Sequence, residues 1–303
     1  MEITMLQQYT SIEDALISLF GSGAKIVKTD RISGGDINEA YRLTLTDGMY
    51  IFMKANKKEN ISFFTAEAAG LAAIAKTGVI GTPHVFCGGT DVSDADCSFL
   101  LMEYIEGKGR IRNYWEVFAH ELAAMHRAGT EEFVVGGFGF VHDNFIGAGS
   151  QVNTVHDSWI SFFRDCRLEP QIRRAFHYFG AEERKKIAGL LERIDSFLIE
   201  PEYPSLLHGD LWSGNVMAGN DGKAWLIDPA VSIGHAEADI AMTELFGGFP
   251  QVFYDAYKEV VSMQPDYRKR RDLYNLYHLL NHLNLFGRSY LPSILRIVKE
   301  YIG

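Results

Sequence analysis

Cysteine is scarce in this chain of 303 residues: Cys87, Cys97 and Cys166 are all there are. They show no CxxC spacing and no even-numbered set, so neither a zinc site nor a disulfide framework is expected, and a reducing, cytoplasmic setting fits best. Basic residues are also in deficit. Against 39 Asp and Glu stand 29 Lys and Arg, a formal net charge of -10. A nucleic-acid backbone as main partner is therefore not expected, since such proteins usually carry a basic face. Any phosphate must be held locally, by particular groups. A long apolar run is missing too: the most apolar stretch, Ala66 to Ala75, contains Glu67 and is about half the length a membrane span requires. The start, with Glu2, Glu13 and Asp14, lacks the basic region and apolar run of a signal peptide. There is no internal repeat and no low-complexity segment.

What the chain does have is 47% hydrophobic content, enough for two lobes with a proper core. Residues 25 to 103 read as a small sheet-rich lobe. Within "EAYRLTLTDGMYIFMK", two β-type runs flank Asp47-Gly48, a dipeptide suited to the positive φ angles of a tight hairpin. "SFFTAEAAGLAAIAKTG" reads as a helix, rich in alanine and ended by Gly78. "CSFLLMEYI" closes the lobe as a strand. From about residue 111 the period turns helical, with Trp115, Phe118, Ala119, Leu122 and His126 on one face. Two later helical stretches, "EERKKIAGLLERIDSFL" and "LYNLYHLLNHLNLFG", are separated by short strands, "NVMA" and "AWLID". The reading is an α+β protein with a β-rich N-lobe, residues 1–103, on a mostly helical C-lobe, residues 104–303.

The stretch "LLHGDLWSGNVM", residues 206–217, carries the chemistry. Asp210, an amide at Asn215, and a second carboxylate at Asp228 after a hairpin-sized gap form the set that phosphoryl transfer from ATP requires. The first acid accepts the proton of the acceptor hydroxyl. The other two hold magnesium, a hard cation that keeps several waters and needs few protein oxygens. Taken singly, Asp210 and Asn215 read as turn residues that bond their own backbone; their order with His208, Gly209 and Asp228 favours function. His208 is expected to orient the loop. The N-lobe offers the matching parts. Gly34, Gly35 and Asp36, in "SGGDIN", could cradle phosphates through backbone N–H groups, although turns use Gly-Gly constantly. Lys54 ends a hairpin strand and Glu67 lies on the helix that follows, so the two can form the ion pair that places a lysine on the nucleotide phosphates. Backbone groups of Glu103, Tyr104 and Ile105, in "LLMEYIEG", are candidates for the adenine edge.

These motifs resemble those of the fructosamine kinase (ketosamine-3-kinase) family, a branch of the aminoglycoside-phosphotransferase-like, protein-kinase-like fold. The resemblance spans nearly the whole chain. It rests on "HGDLWSGN" with its Trp212, on "DNFIGAGSQVNTVHDSWISFFRDCRLEPQI" and on "DPAVSIGHAEADIAMTELFGGF". It implies that Asp210 is the proton acceptor, Asn215 and Asp228 the magnesium ligands, and Lys54, Glu67 and residues 103–105 the ATP site. It further implies transfer of the γ-phosphate to the C3 hydroxyl of a ketosamine, on an amino acid or a protein, as a deglycation step. Gly209 stands where protein kinases have the arginine of HRD, and Asp228-Pro229-Ala230 where they have DFG, so no phosphorylation-switched loop is expected. Asp239 is implied to brace the catalytic loop. Trp212, Trp159 and Arg167 are candidates for the acceptor side, with helix packing the alternative for the last two.

Rival readings are a kinase of the same fold for an aminoglycoside, choline or a pentose derivative, and a non-catalytic ATP-binding module. The second has no need of a proton acceptor. The basic run Arg268 to Arg271 is read as a solvated first helical turn, because Leu273, Tyr277 and Leu280 take the buried face.

Overall fold

The structure is a computed structural model that describes residues 8–33, 37–93, 96–134 and 136–303. The described residues fall into two compact units, one within 1–114 and 217–228, the other within 115–216 and 229–303.

The first unit is built on a six-stranded sheet. Its strands are β1 (Gln8–Tyr9), β2 (Ile26–Ile32), β3 (Glu39–Leu45), β4 (Tyr50–Lys57), β5 (Val85–Asp91) and β6 (Cys97–Glu103), in the order β1-β5-β6-β4-β3-β2. Neighbours run antiparallel except β1 with β5. The Asp47-Gly48 hairpin joins β3 to β4 as the sequence suggests: Gly48 has φ +86°, and the Asp47 carboxylate accepts from the Met49 N–H at 2.9 Å. Helix α1 (Ile12–Phe20) covers one group of buried side chains, with Leu43, Ile51, Phe99 and Leu101 fully enclosed. The alanine-rich α2 (Ile61–Lys76) covers a second group through Phe64, Ala68 and Leu71, which meet Leu100 and Met102. Alternation along β6 therefore sends successive side chains to two different cores.

A later piece of chain belongs to this unit. Strands β10 (Val216–Ala218) and β11 (Ala224–Leu226) form a hairpin, and its Trp225 ring lies between two glycines. A Cβ at Gly81 would stand 2.3 Å from that ring, and one at Gly219 would stand 2.2 Å from it. The Leu226 N–H donates to Gly81 O at 2.8 Å. Only residues without side chains admit the indole so closely, and this contact carries the hairpin into the first unit despite its distance in sequence.

The second unit is mostly helical: α3 (Tyr114–His126), α4 (Trp159–Phe162), α5 (Glu169–Ala175), α6 (Ala181–Glu192), α7 (Glu237–Leu245), α8 (Gln251–Val260), α9 (Tyr267–Phe286) and α10 (Leu291–Ile302). Two small sheets complete it, β7 (Asn144–Ile146) with β8 (Gly149–Gln151), and β9 (Ser205–Leu207) with β12 (Ser232–Gly234). The core centres on α9, whose Leu273, Tyr274, Tyr277, Leu280 and Leu283 are buried at helical spacing. One residue departs from expectation. Arg270 is not part of a solvated turn: it is 3% exposed and donates to both carboxylate oxygens of Glu237 at 2.8 and 2.7 Å. Helical periodicity explains this, since residue 270 lies three and four positions before Leu273 and Tyr274 and shares their face. Among the described residues, no helix is long and apolar enough to cross a membrane.

Candidate active site

In the first unit, the β-ladder sets Lys54 of β4 opposite Leu100 of β6 and Ala40 of β3, and the residue is 9% exposed. A buried ammonium requires partners. Lys54 Nζ donates to Glu67 Oε1 at 2.6 Å and also to Asp228 Oδ1. Burial alone would lower the lysine's pKa, but Asp228 and Glu67 outweigh it and hold the group protonated. For Glu67, burial pushes the carboxyl up against the opposing pull of the ammonium. Asp228 follows β11 with φ +52°, a left-handed conformation uncommon for a residue with a side chain. The expected lysine–glutamate pair is thus formed, and Asp228 joins it. Gly34, Gly35 and Asp36 lie outside the described residues. Glu103 ends β6, and Tyr104 and Ile105 open the irregular stretch after it.

In the second unit, the turn after β9 carries His208, Gly209 and Asp210. Gly209 has φ +81°, and a Cβ there would lie 2.1 Å from Ala230 O, so no larger residue fits. The His208 and Gly209 N–H groups donate to Asp239 on α7, to Oδ2 at 2.7 Å and Oδ1 at 2.9 Å. His126 of α3 bonds the same Oδ2 at 3.2 Å through Nε2, and its Nδ1 meets the Tyr257 hydroxyl at 2.7 Å. Burial raises the pKa of Asp239, but His126, His208 and the Gly209 N–H bring it below the ordinary carboxylate value. The His208 ring accepts from the Asp210 N–H at 3.3 Å, the orienting role expected of it. Past the turn, Asn215 Nδ2 donates to Asp210 O at 2.8 Å and Asp210 Oδ2 at 3.0 Å. With its nitrogen directed at Asp210, the end of the Asn215 amide left for a cation is its carbonyl oxygen. Trp212 is 39% exposed, and its ring covers Gly214 so closely that a Cβ there would be 2.3 Å away.

The other two acceptor candidates lie deeper. Trp159 is 1% exposed and packs against Phe163 and Tyr274, with ring centroids 5.2 and 6.0 Å away. Arg167 lies in a π turn, Phe163–Leu168. It donates to Val152 O at 2.6 Å and Asn153 Oδ1 at 2.8 Å, and its guanidinium stands 4.5 Å from the Phe162 ring centre. Both placements favour the packing alternative. The sequence reading missed His126 and Tyr257 as partners of the brace. A single histidine on an apolar helix face carries no signal of what it will meet.

A β-sheet unit with a buried lysine–carboxylate pair, and a helical unit with a His-Gly-Asp turn braced from a helix, define a protein-kinase-like phosphotransferase of α+β class. The profile of the fructosamine kinases matches residues 8–303, and the chain belongs to that family. It is 37% identical over 294 residues to a "probable ketoamine kinase" of Synechocystis sp., covering 96% of each chain. It is also 37% identical over 287 residues to the chloroplastic protein-ribulosamine 3-kinase of Arabidopsis thaliana, covering 93% of this chain and 85% of the relative. A crystal structure of a candidate fructosamine-3-kinase from Haemophilus somnus 129PT matches with TM-score 0.86 and 28% identity over 98% of each chain. The aminoglycoside phosphotransferase APH(4)-Ia, at TM-score 0.59 and 15% identity over 96% of this chain and 100% of its own, shares the fold alone.

Proposed function

We propose that the protein transfers the γ-phosphate of ATP to the C3 hydroxyl of a ketosamine, the rearranged adduct of a sugar on an amine, free or protein-bound. The observation that carries this reading is the Asp210–Asn215 arrangement in a chain of the fructosamine kinase family: the carboxylate is held by an amide nitrogen, and the amide oxygen is left for a cation. Asp210 accepts the proton as the hydroxyl oxygen bonds to phosphorus and the bond from phosphorus to the β-phosphate oxygen breaks, releasing ADP. Lys54, kept charged by Glu67 and Asp228, binds phosphate oxygens. Gly34, Gly35 and Asp36 are assigned to the phosphates and residues 103–105 to the adenine edge. The donor set fits magnesium, since Asn215 and Asp228 offer hard oxygens and few are needed. When bound, magnesium supplies neutralisation of phosphate charge.

In this reading the N-lobe, residues 1–103, and the link that follows it through Ile105 serve the nucleotide, and the C-lobe, residues 104–303, holds the catalytic and acceptor groups, with Trp212 the exposed candidate on the acceptor side. The 3-phosphate product is labile, so the outcome is deglycation. The free thiols Cys87, Cys97 and Cys166 support a reducing, cytoplasmic setting.

The test is magnesium-dependent ADP release with ribulosyl-lysine, fructosyl-lysine, choline and an aminoglycoside as acceptors. Turnover is expected on the ketosamines, with a loss of about 10²–10⁴-fold in Asp210→Asn. Turnover on choline or the aminoglycoside alone would assign a different acceptor. Tight ATP binding without turnover on any of them would favour the binding module.

A further inference from the structure

The stretch after β6 does not hang free. Glu103 is tied to His84 twice, its N–H donating to His84 O at 2.8 Å and its Oε2 accepting from the His84 N–H at 3.2 Å. The other oxygen, Oε1, accepts from Asn220 Nδ2 at 3.2 Å, and Asn220 Oδ1 accepts from the Glu106 N–H at 3.1 Å. One amide thus spans the stretch, gripping a side chain before Tyr104 and Ile105 and a backbone group after them. Asn220 sits in the β10–β11 turn, which closes through Gly219 N–H to Lys223 O at 2.8 Å and Gly222 N–H to Gly219 O at 3.0 Å. The Trp225 contact with Gly81 and Gly219 anchors that turn to the sheet. A second tie, Ile111 N–H to Gly222 O at 3.1 Å, holds the stretch farther along.

We infer that Asn220 is a positioning residue for the nucleotide: its amide fixes the direction in which the backbone of Tyr104 and Ile105 is presented. The inference rests on the assignment of residues 103–105 to the adenine edge. The chemistry requires one group that both donates and accepts, with the donor toward Glu103 and the acceptor toward the Glu106 N–H. Of the side chains of this length, only asparagine's does both at fixed geometry. The residue touches no reacting atom, so its effect belongs to nucleotide affinity and not to the chemical step.

The experiment measures ATP Kd by titration calorimetry, KM for ATP and for the acceptor, kcat, and melting temperature, on the full chain. Asn220→Ala is expected to raise the ATP Kd and KM about fivefold, equivalent to about 1 kcal/mol, with kcat and acceptor KM within about twofold. Asn220→Asp alone sets carboxylate against carboxylate and is expected to be worse. Asn220→Asp combined with Glu103→Gln reverses donor and acceptor and keeps both bonds, so ATP affinity returns to near the parent value. Wild-type binding of ATP with Asn220→Ala unaffected overturns the inference alone, as does an equal rise in both KM values or a combination that fails to rescue. A wild-type chain that binds no ATP overturns the underlying nucleotide assignment.

Discussion

His278 ties the stability of the helical unit to pH in a way that can be worked from the structure. It lies on α9 at 5% exposure, and among the described residues its buried Nδ1 meets no hydrogen-bond partner. Burial, then the neighbouring His282 and Arg167, push its pKa down to about 3, against the pull of Asp239. In the unfolded chain the same ring titrates near the ordinary value of 6.5. Below pH 6.5 the unfolded state therefore binds a proton that the folded state refuses, and stability falls as pH falls. Each pH unit in this window costs about 1.36 kcal/mol, so a drop to pH 5 removes about 2 kcal/mol, and the loss levels off near the folded pKa. Urea unfolding of the wild type and His278→Gln at pH 7 and pH 5 isolates this contribution, because groups common to both proteins cancel in the difference. The wild type is expected to lose about 2 kcal/mol more than the variant between the two pH values. Equal losses would show that His278 is solvated or finds a partner for its proton, and would refute the reasoning.

Two further expectations concern how the units are held together internally. Glu237→Ala removes the carboxylate from the buried Arg270 guanidinium, which keeps Pro265 O and Gln264 O as acceptors, and should cost about 3–5 kcal/mol in denaturant unfolding. Glu237→Leu combined with Arg270→Met should regain most of that, and failure to do so would assign the pair a role beyond satisfying its own charges. Gly81→Ala places a Cβ 2.3 Å from the Trp225 ring, which must move. A loss of about 1–3 kcal/mol with a red-shifted tryptophan emission is expected, and an unchanged melting curve would count against the contact.

Local patterns in the sequence were enough for much of this protein. The Asp47-Gly48 hairpin, the alanine-rich α2 and the helical face of α9 follow from turn chemistry and residue period, which act over a few neighbours. The family, too, was legible, because "HGDLWSGN" concentrates its residues in one turn whose geometry is local: Gly209 for a positive φ, His208 for the Asp210 N–H, Asn215 for the Asp210 carboxylate. Long-range partners were not legible. That Asp228 reaches Lys54, that Asn220 grips Glu103 and Glu106, and that Tyr257 completes the His126–Asp239 brace are contacts between residues more than a hundred positions apart. The burial of Trp159, Arg167 and Arg270 was likewise decided by tertiary packing. A side chain's period tells which face it occupies, but whether that face meets water or another element, and which groups wait there to satisfy a charge, is set only when the elements assemble.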